Sequence, residues 1–184
     1  MHSLPMRSRR RTSGFTLIEL MMVVVIIGIL GAIAVPMFGS YLNRSRATEA
    51  ATVLGEIKQR QEAYRSEFGQ YCDIGGGGPS GAYNPASIPA GTTATWDATA
   101  ASGGWRQLGV NADGPVRFRY AMWAGLPGTT PTAPGVQFNG SDFWFVATAE
   151  GDLDGDGLTM TMASYSYSNL VWNSKAVNGG PGWE

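Results

Sequence analysis

Residues 14–42, GFTLIELMMVVVIIGILGAIAVPMFGSYL, limit what this chain can fold into more than any other stretch. The run is long enough to cross a bilayer as a helix, which takes about 20 apolar residues. It carries one charge, Glu19, close to its start. A carboxylate inside such a segment is costly unless something neutralises it, so Glu19 asks for a partner. The leader before it, MHSLPMRSRRRTSG, places Arg7, Arg9, Arg10 and Arg11 ahead of the apolar run. Positive charge in that position retains the N-terminus in the cytoplasm. No small-residue cleavage site of the secretory kind follows a short apolar core.

The combination of Gly14, Phe15, Thr16, Leu17, Ile18 and Glu19, then a transmembrane-length apolar run and Pro36, resembles the class III signal of type IV pilins and type II secretion pseudopilins. The clear resemblance covers about the first third of the chain. It implies that a prepilin peptidase cuts between Gly14 and Phe15 and N-methylates Phe15. It implies an apolar segment that is kept, first as an inner-membrane anchor and then as the packed core of a filament. Glu19, Thr16 and Pro36 become the assembly residues: Glu19 meets a Phe15 ammonium, its neighbour's or its own, and Thr16 back-bonds within the first turn. Gly28, Gly31 and Pro36 mark a stretch of weak helix, since proline removes one helical hydrogen bond.

The resemblance implies an α+β pilin fold, in which a long N-terminal helix, membrane-spanning in its first half, packs against a small antiparallel sheet. The expected divisions are a cleaved leader (1–14), a transmembrane and filament-core helix (15–38), an amphipathic helix (39–69) and a β-sheet head with a Gly-rich loop (70–184). From residue 15 to residue 68 such a helix would be roughly 80 Å long. Residues Ala47, Ala50, Ala51, Leu54, Ile57, Tyr64 and Phe68 recur near helical spacing, with Glu49, Glu56, Lys58, Arg60, Glu62 and Arg65 on other faces. Glu56 and Arg60 form a favourable i,i+4 pair, and Gly69 is the expected stop.

Residues 72–104 are rich in Gly, Pro, Ala, Ser and Thr and read as a long surface loop. The run Gly75, Gly76, Gly77, Gly78 lacks the Lys-Ser/Thr ending that a phosphate-binding loop needs. Residues 116–123, 142–149 and 158–167 read as strands whose aromatic and methionine stripes face the helix.

Asp152, Asp154 and Asp156 alternate before Gly157, the front half of an EF-hand-type calcium loop. The back half fails, because Ala163 stands where the bidentate glutamate belongs. Two readings stay open: a Ca2+ site completed by Glu150 or backbone carbonyls, and an acidic hairpin turn held by Asx-type bonds.

Cys72 is the single cysteine, so no intramolecular disulfide forms, and burial as a small apolar residue is expected. Many type IV pilins close a C-terminal loop with a disulfide, so here something else must hold that region. His2 is the single histidine and lies in the leader, which leaves no histidine base and no His-containing zinc site; the chain is not expected to be an enzyme. Four of the thirteen basic residues also lie in the leader, leaving nine against fourteen acids and a side-chain charge of −5. That balance argues against a nucleic-acid surface.

The expected role is a structural subunit of a type IV pilus, major or minor; the alternative is a type II secretion pseudopilin. Expected partners are other pilins, the prepilin peptidase, the inner-membrane assembly platform and the inner membrane. The subunit would then move to a pilus at the cell surface, or to a periplasmic pseudopilus. The long loop favours the first reading, and the missing disulfide and Asp-rich loop favour the second.

Overall fold

The computed structural model describes residues 14–78, 80, 82–97, 99, 103–131, 133–134 and 140–174. The expected leader lies outside these residues apart from Gly14. Helix α1 runs over Leu17–Phe68, and the chain divides into two compact units between Phe38 and Gly39. The backbone is helical throughout α1, including Gly28, Gly31 and Pro36, where the sequence suggested weakness. One missing N–H does not end a helix whose flanking turns are intact. The Pro36 side chain lies outside the described residues. At its C-terminus α1 stops where expected: Gly69 takes a φ of 73° and donates its N–H to the Arg65 carbonyl.

In the first unit, residues Leu17–Ala34 form a helix long and apolar enough to cross a membrane, and none of that span is buried. Leu17, Ile18, Val25, Ile26 and Leu30 are all more than half exposed.

The second unit contains the rest of α1, a short helix α2 (Gly104–Leu108), and four strands: β1 (Arg119–Gly125), β2 (Trp144–Gly151), β3 (Met160–Tyr165) and β4 (Ser168–Asn173). They form one antiparallel sheet in the order β1-β2-β3-β4. The architecture is α+β. The first three strands fall close to the stretches expected; β4 was not anticipated, because its polar sequence SNLVWN shows no clear alternation.

Both faces of the sheet are covered. Tyr120, Met122, Ala147, Ala149 and Met162 share one face, and Met122 meets Gln61 of α1. Ala121, Trp123, Val146, Thr148 and Tyr165 share the other and are equally buried. The Tyr165 hydroxyl donates to the Pro134 carbonyl, and Gly75 lies against Trp123. The core aromatics Trp105, Trp123, Tyr120, Tyr165, Phe118 and Phe145 are almost fully buried. Each such side chain contributes roughly 1.5–3 kcal/mol on burial. At the β1–β2 edge a Cβ on Gly125 would run into the Trp144 indole, so the register needs glycine there.

Three sequence expectations are corrected. Phe68 is 56% exposed and Leu158 48% exposed, so neither belongs to the core. Phe68 is the last residue of α1, and Leu158 lies in the turn before β3, so both stand where the packed surface stops. The connection 72–104 is not simply a surface loop, since Ala82 and Asn84 are fully buried and Trp96 nearly so. Asn84 bridges to Tyr120 on β1, Ala94 to Val116 ahead of β1 and Ala90 to Asp152 after β2, so this connection packs along that side of the sheet.

Candidate functional site

The start of α1 is a capping box. Thr16 donates its backbone N–H to Glu19 Oε2 at 2.8 Å and its hydroxyl to the same oxygen at 2.7 Å. The Glu19 N–H returns to Thr16 Oγ1 at 3.3 Å. Thr-x-x-Glu before an apolar run is the sequence signature of this arrangement, and it was legible in residues 16–19. The sequence reading gave each residue a separate role and missed the reciprocal pair. The box satisfies donors that every helix N-terminus leaves open, and it sets a negative charge at the positive end of the helix dipole. Gly14 and Phe15 precede the helix in non-helical backbone, and Phe15 is exposed.

The aspartate loop is the second site of interest. One carboxylate oxygen from each of Asp152, Asp154 and Asp156 can be chosen so that all three lie within 4.8 Å of one another. The same carboxylates serve the loop's own backbone. Asp152 is buried, with Oδ1 accepting from the Gly155 N–H at 2.7 Å and Oδ2 from the Gly157 N–H at 3.0 Å. Asp156 accepts from Leu158 at 2.7 Å. Gly155 and Gly157 have positive φ, which lets the turn close. Arg46 donates to the Leu153 carbonyl at 3.0 Å, and the Gly91 N–H donates to the Asp152 carbonyl. The bonds from the Leu158 N–H to Asp156 and from the Asp156 N–H to Asp154, each two residues on, are Asx-turn bonds. Convergence of hard oxygens is what a Ca2+ ion needs, and Asp154 and Asp156 are exposed. Glu150 is not brought to them: its carboxylate takes two bonds from Arg119, at 2.6 and 2.8 Å. Arg119 also stacks over Tyr83, 3.9 Å from the ring centre.

Several polar residues of α1 in the second unit tie down separate segments of the head. Lys58 Nζ donates to the Tyr165 and Ser168 carbonyls and to Asn169 Oδ1, gripping the β3–β4 turn. Glu49 accepts the Arg117 N–H at 2.8 Å, and Arg65 pairs with Asp142 at 2.7 Å. Gln61 is fully buried, its Nε2 bonded to the Cys72 carbonyl and its Oε1 to the Cys72 N–H. Asn84 repeats the device on Asp97. A side-chain amide has one donor and one acceptor side by side, so it pairs with a backbone residue as a strand would. Two such amides therefore hold the Gly-rich connection, and Lys58 holds the C-terminal hairpin, in a chain whose one cysteine is unpaired. Burial pushes the Cys72 thiol up to about 11, the nearby Asp73 adding to the effect. Lys58 and Gln61 were invisible as ties in sequence, because their partners lie on distant segments.

Residues 9–35 match the prokaryotic N-terminal methylation motif. The chain is similar to the type IV major pilin protein PilA of Myxococcus xanthus, 49% identical over 68 residues, covering 37% of this chain and 31% of that protein. It is 50% identical over 56 residues to the fimbrial protein EcpC of Eikenella corrodens (30% and 37% covered). It is 53% identical over 47 residues to the type IV major fimbrial protein FimA of Dichelobacter nodosus (26% and 29% covered). The chain thus spans about a third of the length of the curated relatives it matches. No solved structure matches it. By its methylation motif and these similarities, the N-terminal third of the chain is similar to type IV pilins.

Proposed function

We propose that this chain is a structural subunit of a type IV pilus. It is made as an inner-membrane precursor, cut between Gly14 and Phe15 by a prepilin peptidase that also N-methylates Phe15, and assembled by lateral packing of its N-terminal helix. The observation that carries this reading is the apolar span Leu17–Ala34, wholly uncovered and opened by a single carboxylate. Such a surface needs lipid or other apolar helices around it. Glu19 is tolerated there when an ammonium meets it, and cutting at Phe15 creates one at the same depth. Such a pair fixes register between helices, and removing one partner costs about 3–5 kcal/mol. Pro36 belongs to the same helix and is where it would adapt during packing. Other pilins, the peptidase and the inner-membrane assembly platform are the partners this route requires.

The relatives' names, major pilin and fimbrial protein, favour a pilus over a secretion pseudopilus. The unpaired Cys72 and the aspartate loop favour the pseudopilin alternative. The deciding measurements are the intact mass of the exported protein and electron microscopy of a deletion strain. The expected mass lacks residues 1–14 and carries one added methyl group, and the deletion strain loses or alters its surface filaments. A cut elsewhere, or loss of the apolar segment, would overturn the reading.

A further inference from the structure

Trp96 is 8% exposed and Tyr120 is fully buried, yet neither Trp96 Nε1 nor the Tyr120 hydroxyl has a hydrogen-bond partner among the described residues. The two lie together, with ring centres 5.9 Å apart and planes tilted by 56°. Trp105, edge-on to Trp96, differs in that its Nε1 donates to the Ala82 carbonyl at 3.0 Å. Glu49 of α1 is the third group here. Burial, and then the charge of Glu49, raise the Tyr120 phenol above its ordinary range. Glu49 Oε1 accepts the Arg117 N–H, and no described residue donates to Oε2. An indole N–H only donates, a carboxylate only accepts, and a phenol does both. One water molecule suits all three: it accepts from the indole and the phenol and donates to Glu49 Oε2. Three bonds are what a buried water ordinarily makes, and a head of this size ordinarily encloses about five such waters. The core-facing neighbours of Glu49 on α1 are Ala47, Ala50 and Ala51, so little side-chain bulk stands between helix and sheet. We propose that a structural water is enclosed between Trp96, Tyr120 and Glu49, where it joins the 72–104 connection, β1 and α1. It is a tie of the same kind as Gln61 and Asn84, made through solvent. Asn84 already pairs with the Tyr120 backbone, so the water fixes the side chain of a residue whose main chain the connection holds.

The test uses the full chain in detergent micelles with nitrogen-15 tryptophan, and reads Overhauser cross-peaks between water and indole N–H protons. Trp96→Phe assigns the Trp96 signal by its loss. Wild type should show a long-lived water cross-peak at Trp96 and none at Trp105, whose N–H already has a protein partner. Tyr120→Phe removes one hydroxyl and nothing else. Removing an unpaired buried hydroxyl relieves a penalty, whereas removing a water-bonded one loses a bond, so thermal melting separates the two by sign. Tyr120→Phe should melt about 2–4 °C lower, with a weaker cross-peak. Glu49→Gln keeps an oxygen for the Arg117 N–H and turns the other acceptor into a donor, so it too should weaken the cross-peak. A wild-type Trp96 signal without a water cross-peak would overturn the proposal. So would a Tyr120→Phe chain that melts at or above wild type, or a cross-peak that Glu49→Gln leaves unchanged.

Discussion

Gln61→Leu is the most informative single change in the head. By helical spacing alone it looks like an improvement, since position 61 is fully buried beside Leu54 and Ile57. An added apolar side chain there would contribute about 1.5–3 kcal/mol of transfer free energy. Against it stands the loss of both bonds to Cys72, at 2.8 and 2.9 Å, which leaves a buried N–H and a buried C=O without partners. Each orphaned group costs about 1–3 kcal/mol, about 2–6 kcal/mol for the two, so the penalty outweighs the gain by about 0.5–3 kcal/mol. For a domain of this size, at about 2–4 °C per kcal/mol, that lowers the melting temperature by roughly 1–12 °C. The assay is thermal melting of the full chain in detergent, with thiol labelling as a local reporter. Cys72 is buried and its thiol is held up at about 11, so it should react slowly at neutral pH in the wild type and faster in the variant. An unchanged melting temperature together with unchanged labelling would refute the amide-tie argument.

Lys58→Met should cost about 1.5–3 kcal/mol and raise hydrogen exchange at residues 165–169, because three acceptors lose one ammonium; exchange there equal to wild type would count against the grip. The Arg65 hydrogen bond, with the Phe143 N–H, holds the Asp142 carboxyl below its ordinary 3.8. Its contribution is therefore present above pH 3.8 and lost as pH falls through the depressed value, and Asp142→Asn should flatten that part of a denaturation midpoint series. Cys72 has the opposite sign: burial favours its protonated form, so its contribution is complete below 9.0 and is lost as pH rises toward about 11. Asp152→Ala removes the acceptors of the Gly155 and Gly157 amides and should cost about 1–3 kcal/mol with or without divalent ions. On the calcium reading of the loop, millimolar Ca2+ raises the melting temperature above that in chelator, and Asp154→Asn abolishes the rise; equal melting in both would remove the ion from the loop.

The N-terminal segment was decided by local sequence. Sixteen residues of nearly unbroken apolar character after Glu19 dictate a helix long and apolar enough to cross a membrane, whatever the head does. The Thr-x-x-Glu start is equally local, because a capping box closes within one turn. The stop at Gly69 and the strands β1, β2 and β3 were also legible from backbone freedom and β-rich composition. What tertiary structure alone decided is how distant segments satisfy one another. The burial of Gln61 and Asn84, the grip of Lys58 and the diversion of Glu150 to Arg119 each pair groups on separate segments of the chain. A polar residue on a helix reads as solvated until the fold brings it a backbone to bind. Hydrophobic periodicity records which residues leave water, and it carries no record of which polar partner receives them.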